Sequence, residues 1–444
     1  MQESDAEKQP WPSTRVAWFT LGVLVVAFIF SFIDRIIIAL LVDPIKRDLE
    51  ITDVGIGLLQ GLYFAVFYTV VGLPIGRWAD RYSRRLIIGS GIAIWSVATA
   101  LCGLTRSFTQ LFLARVGVGV GQAALSPAAY SMLADYFPKD KMGRAIGIYQ
   151  SGAFFGIGIA FLIGGFVIRL VSDTESIAVP LIGSVSQWQL VFLVVGLPGL
   201  LVALLMFAVK EPVRRGKLPG HDDGIPLGKV LRYAGHNWRI FLLHFAGFSL
   251  LAVPITNIVT WAPAYFSRSL GYTPPEAALT LGTILLVLSP AGVYCGGWLA
   301  DRLQQRGYAD APLRVGIGAA LLLLPLSFLS TTVTNPNLAL ILFCPFIFCA
   351  SLSIAVAPAA LQLVAPNQMR AQISATWMLV MNLITATVGP TGLGFITVWV
   401  FADAQAVGYS MALVNCVCMP LAALALWRGL KPFRIAMAGQ AANA

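Results

Sequence analysis

Gly76-Arg-Trp-Ala-Asp80-Arg81 and Gly297-Trp-Leu-Ala-Asp301-Arg302 are two nearly matching charged turns. Each follows a long apolar stretch, and Asp80 and Asp301 stand 221 positions apart in a chain of 444. A charged motif repeated at half the chain length, each time after an apolar run, indicates a duplicated membrane bundle. Bundles of this kind are mostly transporters, with the site expected where the two halves meet.

Composition agrees. The chain is 58% hydrophobic and 11% charged, with a mean hydropathy of +0.80, whereas soluble domains carry about 25% charged residues. The first fifteen residues include Glu3, Asp5, Glu7, Lys8 and Arg15. They lack the short apolar core of a signal peptide, so the first apolar run is expected to stay in the protein. The net charge of +10 is spread over short links between apolar runs, which argues against a nucleic-acid partner. The six cysteines lie inside apolar runs without the spacing of a zinc site, so neither metal nor cofactor is expected. Gly-x-Ser-x-Gly, His-Glu-x-x-His and Walker sequences are absent, which weighs against an enzyme.

A membrane span needs about 20 mainly apolar residues. Twelve are expected, over 16–42, 54–79, 84–105, 107–137, 143–170, 187–209, 238–267, 275–300, 312–333, 337–365, 370–400 and 405–430. Runs of this length are helices, because the backbone must satisfy its own hydrogen bonds in lipid. The expected class is therefore all-α. The domains are an N-terminal tail (1–15), a six-helix bundle (16–209), a basic linker (210–237), a second six-helix bundle (238–430) and a C-terminal tail (431–444). With both termini in the cytoplasm, 23 of the 30 basic residues fall on that side, five outside and two within spans. The positive-inside rule selects that orientation, in a cell inner membrane.

The halves echo each other again. Pro127-Ala-Ala129, Pro138 and Met142-Gly-Arg144-Ala145 in the first half match Pro358-Ala-Ala360, Pro366 and Met369-Arg370-Ala371 in the second. Twelve spans, a central basic loop and Gly76-x-x-x-Asp80-Arg81-x-x-Arg84-Arg85 resemble the major facilitator superfamily. Phe32-Ile-Asp34-Arg35, Arg115-Val-Gly117-Val-Gly119-Val-Gly121-Gln122 and Ser126-Pro-Ala-Ala-Tyr130 resemble its spinster-like branch. The resemblance implies two pseudo-symmetric six-helix bundles working by alternating access as a monomer. It also implies that Gly76, Asp80, Arg81, Arg84, Arg85 and Asp135 form a conformational latch, with Gly297, Asp301 and Arg302 as a second copy. That copy is expected to be weaker, since Gln304 and Gln305 replace the arginine pair. The competing reading is a positive-inside anchor that only fixes topology.

Asp34, Arg35 and Arg115 are the charges well inside spans, and an intramembrane charge is a functional-site hypothesis by default. Asp34 and Arg115 each lie eight residues from the outer boundary of their spans, about 12 Å deep, so an Asp34–Arg115 ion pair is allowed. A fixed structural pair is the alternative, and a proton switch at Asp34 the functional reading. Gln122 lies two turns beyond Arg115 on the same face. Many spinster-like sequences carry glutamate there, so coupling is altered either in a natural member or by an engineered change. A hydrogen bond between helices is the other reading of Gln122.

The expected cavity lining is Tyr63, Phe67, Ser126, Tyr149, Gln150 and Phe154 from the first half, with Thr256, Asn257, Trp261, Tyr294, Ser353, Trp377 and Asn382 from the second. Some of these are expected to be packing or lipid-facing residues instead. Excess buried positive charge beside an apolar body suits an amphipathic anionic or zwitterionic solute, such as the lysophospholipids and sphingolipids the resemblance implies. A small organic-acid symporter, a proton-driven multidrug exporter and a non-transporting receptor are the alternatives.

Overall fold

The computed structural model describes residues 11–171, 176–179, 183–214, 227–365 and 369–442. Within these, nothing beyond the backbone is described at Gly76, Asp80 and Phe154, among others. Twelve of the described helices are long and apolar enough to cross a membrane. They are Thr14–Leu40, Asp53–Gly72, Arg84–Cys102, Phe108–Tyr136, Ile148–Leu170, Gln187–Ala208, Trp238–Leu270, Pro274–Gln305, Ala311–Thr332, Pro336–Val364, Gln372–Val400 and Ala404–Ala438. They are numbered one to twelve below.

Several spans are built of two helices. Span two breaks at Gly61 between Asp53–Gln60 and Leu62–Arg81, and span four at Ala123–Ala124 between Phe108–Gln122 and Leu125–Tyr136. Span seven breaks at Ala252 and span ten at Leu352. Irregular backbone at membrane depth is tolerated where protein surrounds it. Ser176–Val179 and Gly183–Ser186 pair as a small antiparallel hairpin between spans five and six, with Ser176 opposite Ser186, an addition to the all-helical expectation.

The chain folds as two compact units. The first takes in Met1–Ile51, Tyr63–Asp222 and Thr273–Leu286. In it span one lies along the helix Lys139–Val171, and span three packs on spans four and six. Leu24, Ile92, Trp95, Val118 and Met132 form its fully buried centre. Small residues let spans three and four touch backbone to backbone: a Cβ on Gly121 would stand 2.6 Å from Trp95 N.

The second unit takes in Thr52–Leu62, Asp223–Tyr272 and Val287–Ala444. Here span nine lies along the helix Val407–Ala442, and span seven packs on span eleven. Span eleven widens into π-type turns at Thr387–Thr391 and Ile396–Val400. Pro390 sits in the first of these and cannot donate a backbone hydrogen bond, which accounts for a wide turn there. The helix Asp53–Gln60 lies flush on that turn. A Cβ on Gly57 would come within 2.3 Å of Pro390 O, a contact only glycine allows.

Candidate functional site

Span one carries Ser31 one turn before the adjacent Asp34 and Arg35, and the first helix of span four carries Arg115 and Gln122. Asp34, Arg115 and Gln122 are all buried. The Asp34–Arg115 ion pair that equal depth allows does not form. Arg115 instead donates from Nη1 to the backbone oxygen of Asp34 at 2.9 Å and from Nη2 to that of Arg35 at 3.3 Å. The reason is angular: the Asp34 side chain turns toward span three, where Thr99 and Trp95 face it. Neither Asp34 carboxyl oxygen has a hydrogen-bond partner.

Arg35 points elsewhere. Its Nε and Nη2 donate to Gln122 Oε1 at 3.3 and 3.0 Å, while Gln122 Nε2 donates to Ser31 O at 2.9 Å. The Gln122 amide thus ties two turns of span one to span four. The Arg35 guanidinium also lies over the rings of Phe64 (4.6 Å), Phe32 (5.3 Å) and Tyr68 (5.5 Å), a favourable cation–π setting. Both guanidiniums, half-buried Arg35 and buried Arg115, are therefore held by neutral groups, and their charge is not cancelled by a bonded carboxylate.

The remaining first-half candidates divide. Tyr63 and Phe67 are half-buried and meet Phe112, with ring centroids 4.7 and 6.2 Å apart. Tyr149 is buried, stacks on Phe28 at 4.7 Å and meets Tyr130 edge-on at 5.5 Å. Its hydroxyl makes no hydrogen bond, and half-buried Ser126 faces it. Gln150 is exposed, and the side chain of Phe154 lies outside the described residues.

In the second unit, three candidates gather at the wide turn of span eleven. Trp261 Nε1 donates to Pro390 O at 3.1 Å. Buried Asn257 sits beside Gly389 with both amide atoms unpartnered. Thr256 bonds back to Ala252 O. Trp377 is buried and meets His244 with ring centroids 5.9 Å apart; neither its Nε1 nor either His244 nitrogen has a partner. Ser353 is buried, Asn382 half-buried and Tyr294 77% exposed.

The charged turn of the first unit is a dense network. Arg84 is buried and forms ion pairs with Asp135 and, at 2.9 Å, with Glu211. It also donates to Ser131 O and Pro212 O. Glu211 accepts from the backbone N–H groups of Arg84 (3.2 Å) and Arg85 (2.9 Å) and from Ser83 Oγ (2.8 Å), so it caps span three. Burial pushes its carboxyl up, but those hydrogen bonds and the Arg84 charge outweigh it and hold Glu211 below the ordinary carboxylate range. Arg214 donates to Ala79 O and Tyr82 O at the end of the span-two helix. Arg81 is exposed; Gly76 and the Asp80 side chain lie outside what the structure describes. In the second copy Asp301 and Arg302 are exposed, Arg302 lies over Trp298 at 5.5 Å, and Gly297 has open space around it.

Sequence reasoning missed Glu211, Trp95, Thr99 and the bidentate pair of Arg268 with Asp53, both bonds 3.0 Å, in the second unit. Glu211 had one legible signal: an acidic residue just after span six, at the start of a mainly basic linker. Asp53 had another, beside a Thr52 that caps the helix. Trp95 and Thr99 had none, since apolar spans contain many such residues.

Comparison with known proteins follows the same lines. A family model described as Major Facilitator Superfamily matches residues 23–390. The chain is 28% identical to an MFS-type efflux pump of Mycolicibacterium smegmatis over 431 residues, covering 95% of this chain and 94% of that protein. It is 26% identical to protein spinster of Drosophila melanogaster over 316 residues, covering 68% of this chain. That alignment takes in 49% of the Drosophila protein, so the chain matches about half the length of that relative. Among solved structures it is similar to a bacterial homolog of the human lysosomal transporter spinster, with a TM-score of 0.79 and 25% identity, covering 96% of this chain and 98% of that one. A D-xylose–proton symporter shares the fold at a TM-score of 0.70 and 14% identity.

Proposed function

This chain belongs to the Major Facilitator Superfamily as a spinster-like transporter, and we propose that it moves an amphipathic anionic or zwitterionic solute, of the lysophospholipid or sphingolipid kind, by alternating access. Asp34 is the group through which a proton gradient acts on that cycle. The orientation that goes with this reading has both termini in the cytoplasm and the chain in a cell inner membrane.

One observation carries the proposal: two intramembrane guanidiniums, half-buried Arg35 and buried Arg115, are held by carbonyl and amide oxygens, while the one carboxyl beside them has no bonded partner. A guanidinium that has spent only part of its donors on neutral acceptors retains its charge for a carboxylate or phosphate. Protonating Asp34 raises the local positive charge by one and strengthens the hold on an anionic head. Releasing that proton weakens it. The rings of Phe32, Phe64 and Tyr68 around Arg35 offer the apolar body that an amphipathic solute needs.

A second reading is proton-driven efflux of drug-like compounds. Its support is the similarity to an efflux pump that extends over 95% of this chain. Purified protein in liposomes separates the two. Flux of a lysophospholipid, a small organic acid and a lipophilic cationic dye is measured at two opposed pH gradients. The lysophospholipid is expected to move fastest, and Asp34→Asn to remove the gradient dependence of its flux. Faster dye movement sinks the substrate assignment, and unaltered gradient dependence in Asp34→Asn sinks the role of that residue. Absence of flux for all three favours a receptor.

A further inference from the structure

A groove of about 670 Å³ runs along the first unit between the start of span three and the end of span six. This volume is within the roughly 300–1,000 Å³ typical of ligand sites. Leu86, Ala93, Leu204 and Phe207 wall it, and Leu86, Leu204 and Phe207 are more than half exposed. Gly89 forms its floor: the nearest atom a Cβ there would meet is Met206 Cβ at 3.6 Å, so the missing side chain leaves the groove deep.

One end of this apolar groove is cationic. Arg85 lines it and differs from its neighbour Arg84. Arg84 is neutralised by Asp135 and Glu211, whereas the Arg85 guanidinium pairs with no carboxylate among the described residues. Its Nη1 donates to Val209 O at 3.3 Å, and its Nε is buried without a hydrogen-bond partner. Arg81 and Lys210, both exposed, flank the lining in sequence. Glu211, which follows the lining in sequence, is committed to Ser83, to Arg84 and to the start of span three.

We propose that this groove holds one anionic phospholipid, with its phosphate on Arg85 and an acyl chain along Leu86, Ala93 and Leu204. Charge complementarity selects the head: a guanidinium lacking a carboxylate is completed by a phosphate. The basic flank adds attraction for net negative charge, and among the described residues no carboxylate lines the groove to meet the ammonium of a zwitterionic lipid. The apolar wall selects the chain, so free phosphate alone does not fill the site. The site belongs to the first unit, independent of the Asp34–Arg35–Arg115 cluster and of any transported solute.

Native mass spectrometry of the full chain, titrated with phosphatidylglycerol and phosphatidylcholine of identical chains, tests this. The wild type is expected to bind one phosphatidylglycerol about tenfold more tightly than phosphatidylcholine, the scale of one charge-assisted contact. Arg85→Gln is expected to erase that preference. Ala93→Trp, which fills the groove and leaves every charge in place, is expected to weaken both lipids, and Ala93→Leu serves as a milder filler should tryptophan impair folding. Inorganic phosphate is expected to leave phosphatidylglycerol bound. Equal affinity of the wild type for the two lipids overturns the proposal, as does a folded Ala93 variant that binds phosphatidylglycerol as the wild type does.

Discussion

Asp34 and Arg35 are adjacent on one helix and so project about 100° apart. That angle sends the carboxyl toward Thr99 and Trp95 and the guanidinium toward Gln122 and three aromatic rings. Gln122 is the residue on which Arg35 depends for direct acceptors, and its two bonds to Arg35 and one to Ser31 make a testable unit. Gln122→Ala removes all three. Thermal unfolding in detergent should show a loss of about 1–3 kcal/mol, the usual cost of hydrogen bonds that involve a charged partner. Gln122→Glu keeps the shape and sets a second titratable carboxyl within hydrogen-bond reach of Arg35. Its liposome flux should depend more steeply on pH than that of the wild type; an identical pH profile would show that position 122 has no part in coupling. The three charges themselves were legible in the sequence, because ionisable groups are rare within apolar spans. Their partners were not, because depth along a helix is fixed by residue number while direction around it depends on how neighbouring spans are rotated.

At the scale of elements, the start of span three shows how a linker residue completes a helix. The first N–H groups of a helix lack internal acceptors, and an anion placed there is favoured by the helix dipole. Glu211 fills that role and also meets the Arg84 charge. Because its pKa is lower in the folded chain than in the unfolded one, it stabilises the fold above the unfolded value, and that contribution disappears as pH falls toward the folded value. Glu211→Gln should therefore melt below the wild type at pH 7. The gap should close as pH drops below about 4, near the ordinary carboxylate value. A gap that persists undiminished in acid would assign the effect to shape and not to charge.

The bidentate Arg268–Asp53 pair does comparable work in the second unit, joining the short helix Asp53–Gln60 to the end of span seven. Asp53 is only 1% exposed. Arg268→Ala removes a buried partner, with an expected loss of about 3–5 kcal/mol, readable as a lower melting temperature. Arg268→Lys should recover part of it, since lysine keeps the charge but not the two-pronged geometry. The sequence placed Arg268 among a few basic residues on the side away from the termini and gave no sign of its partner, which is 215 positions distant.

For the whole molecule, orientation is the prediction that sequence alone supports. On the expected topology, 23 of the 30 basic residues fall on the side of the termini, and such bias sets which links stay in the cytoplasm. A fluorescent protein fused after Ala444, which matures only in the cytoplasm, should fluoresce, whereas a periplasm-dependent phosphatase at the same place should be inactive. The reverse pattern would overturn the assignment of inside and outside.

The number of spans, the duplicated layout and the presence of three charges within spans followed from the chain itself. Each rests on a property that residues carry irrespective of their neighbours: apolar length against bilayer thickness, and the cost of a charge in hydrocarbon. The helix breaks at Gly61 and Ala252, the carboxyl of Asp34 without a partner and the capping of span three by Glu211 were decided by packing. Those features depend on which atoms of distant segments come within a few ångströms of each other, a condition that exists only once the spans have assembled.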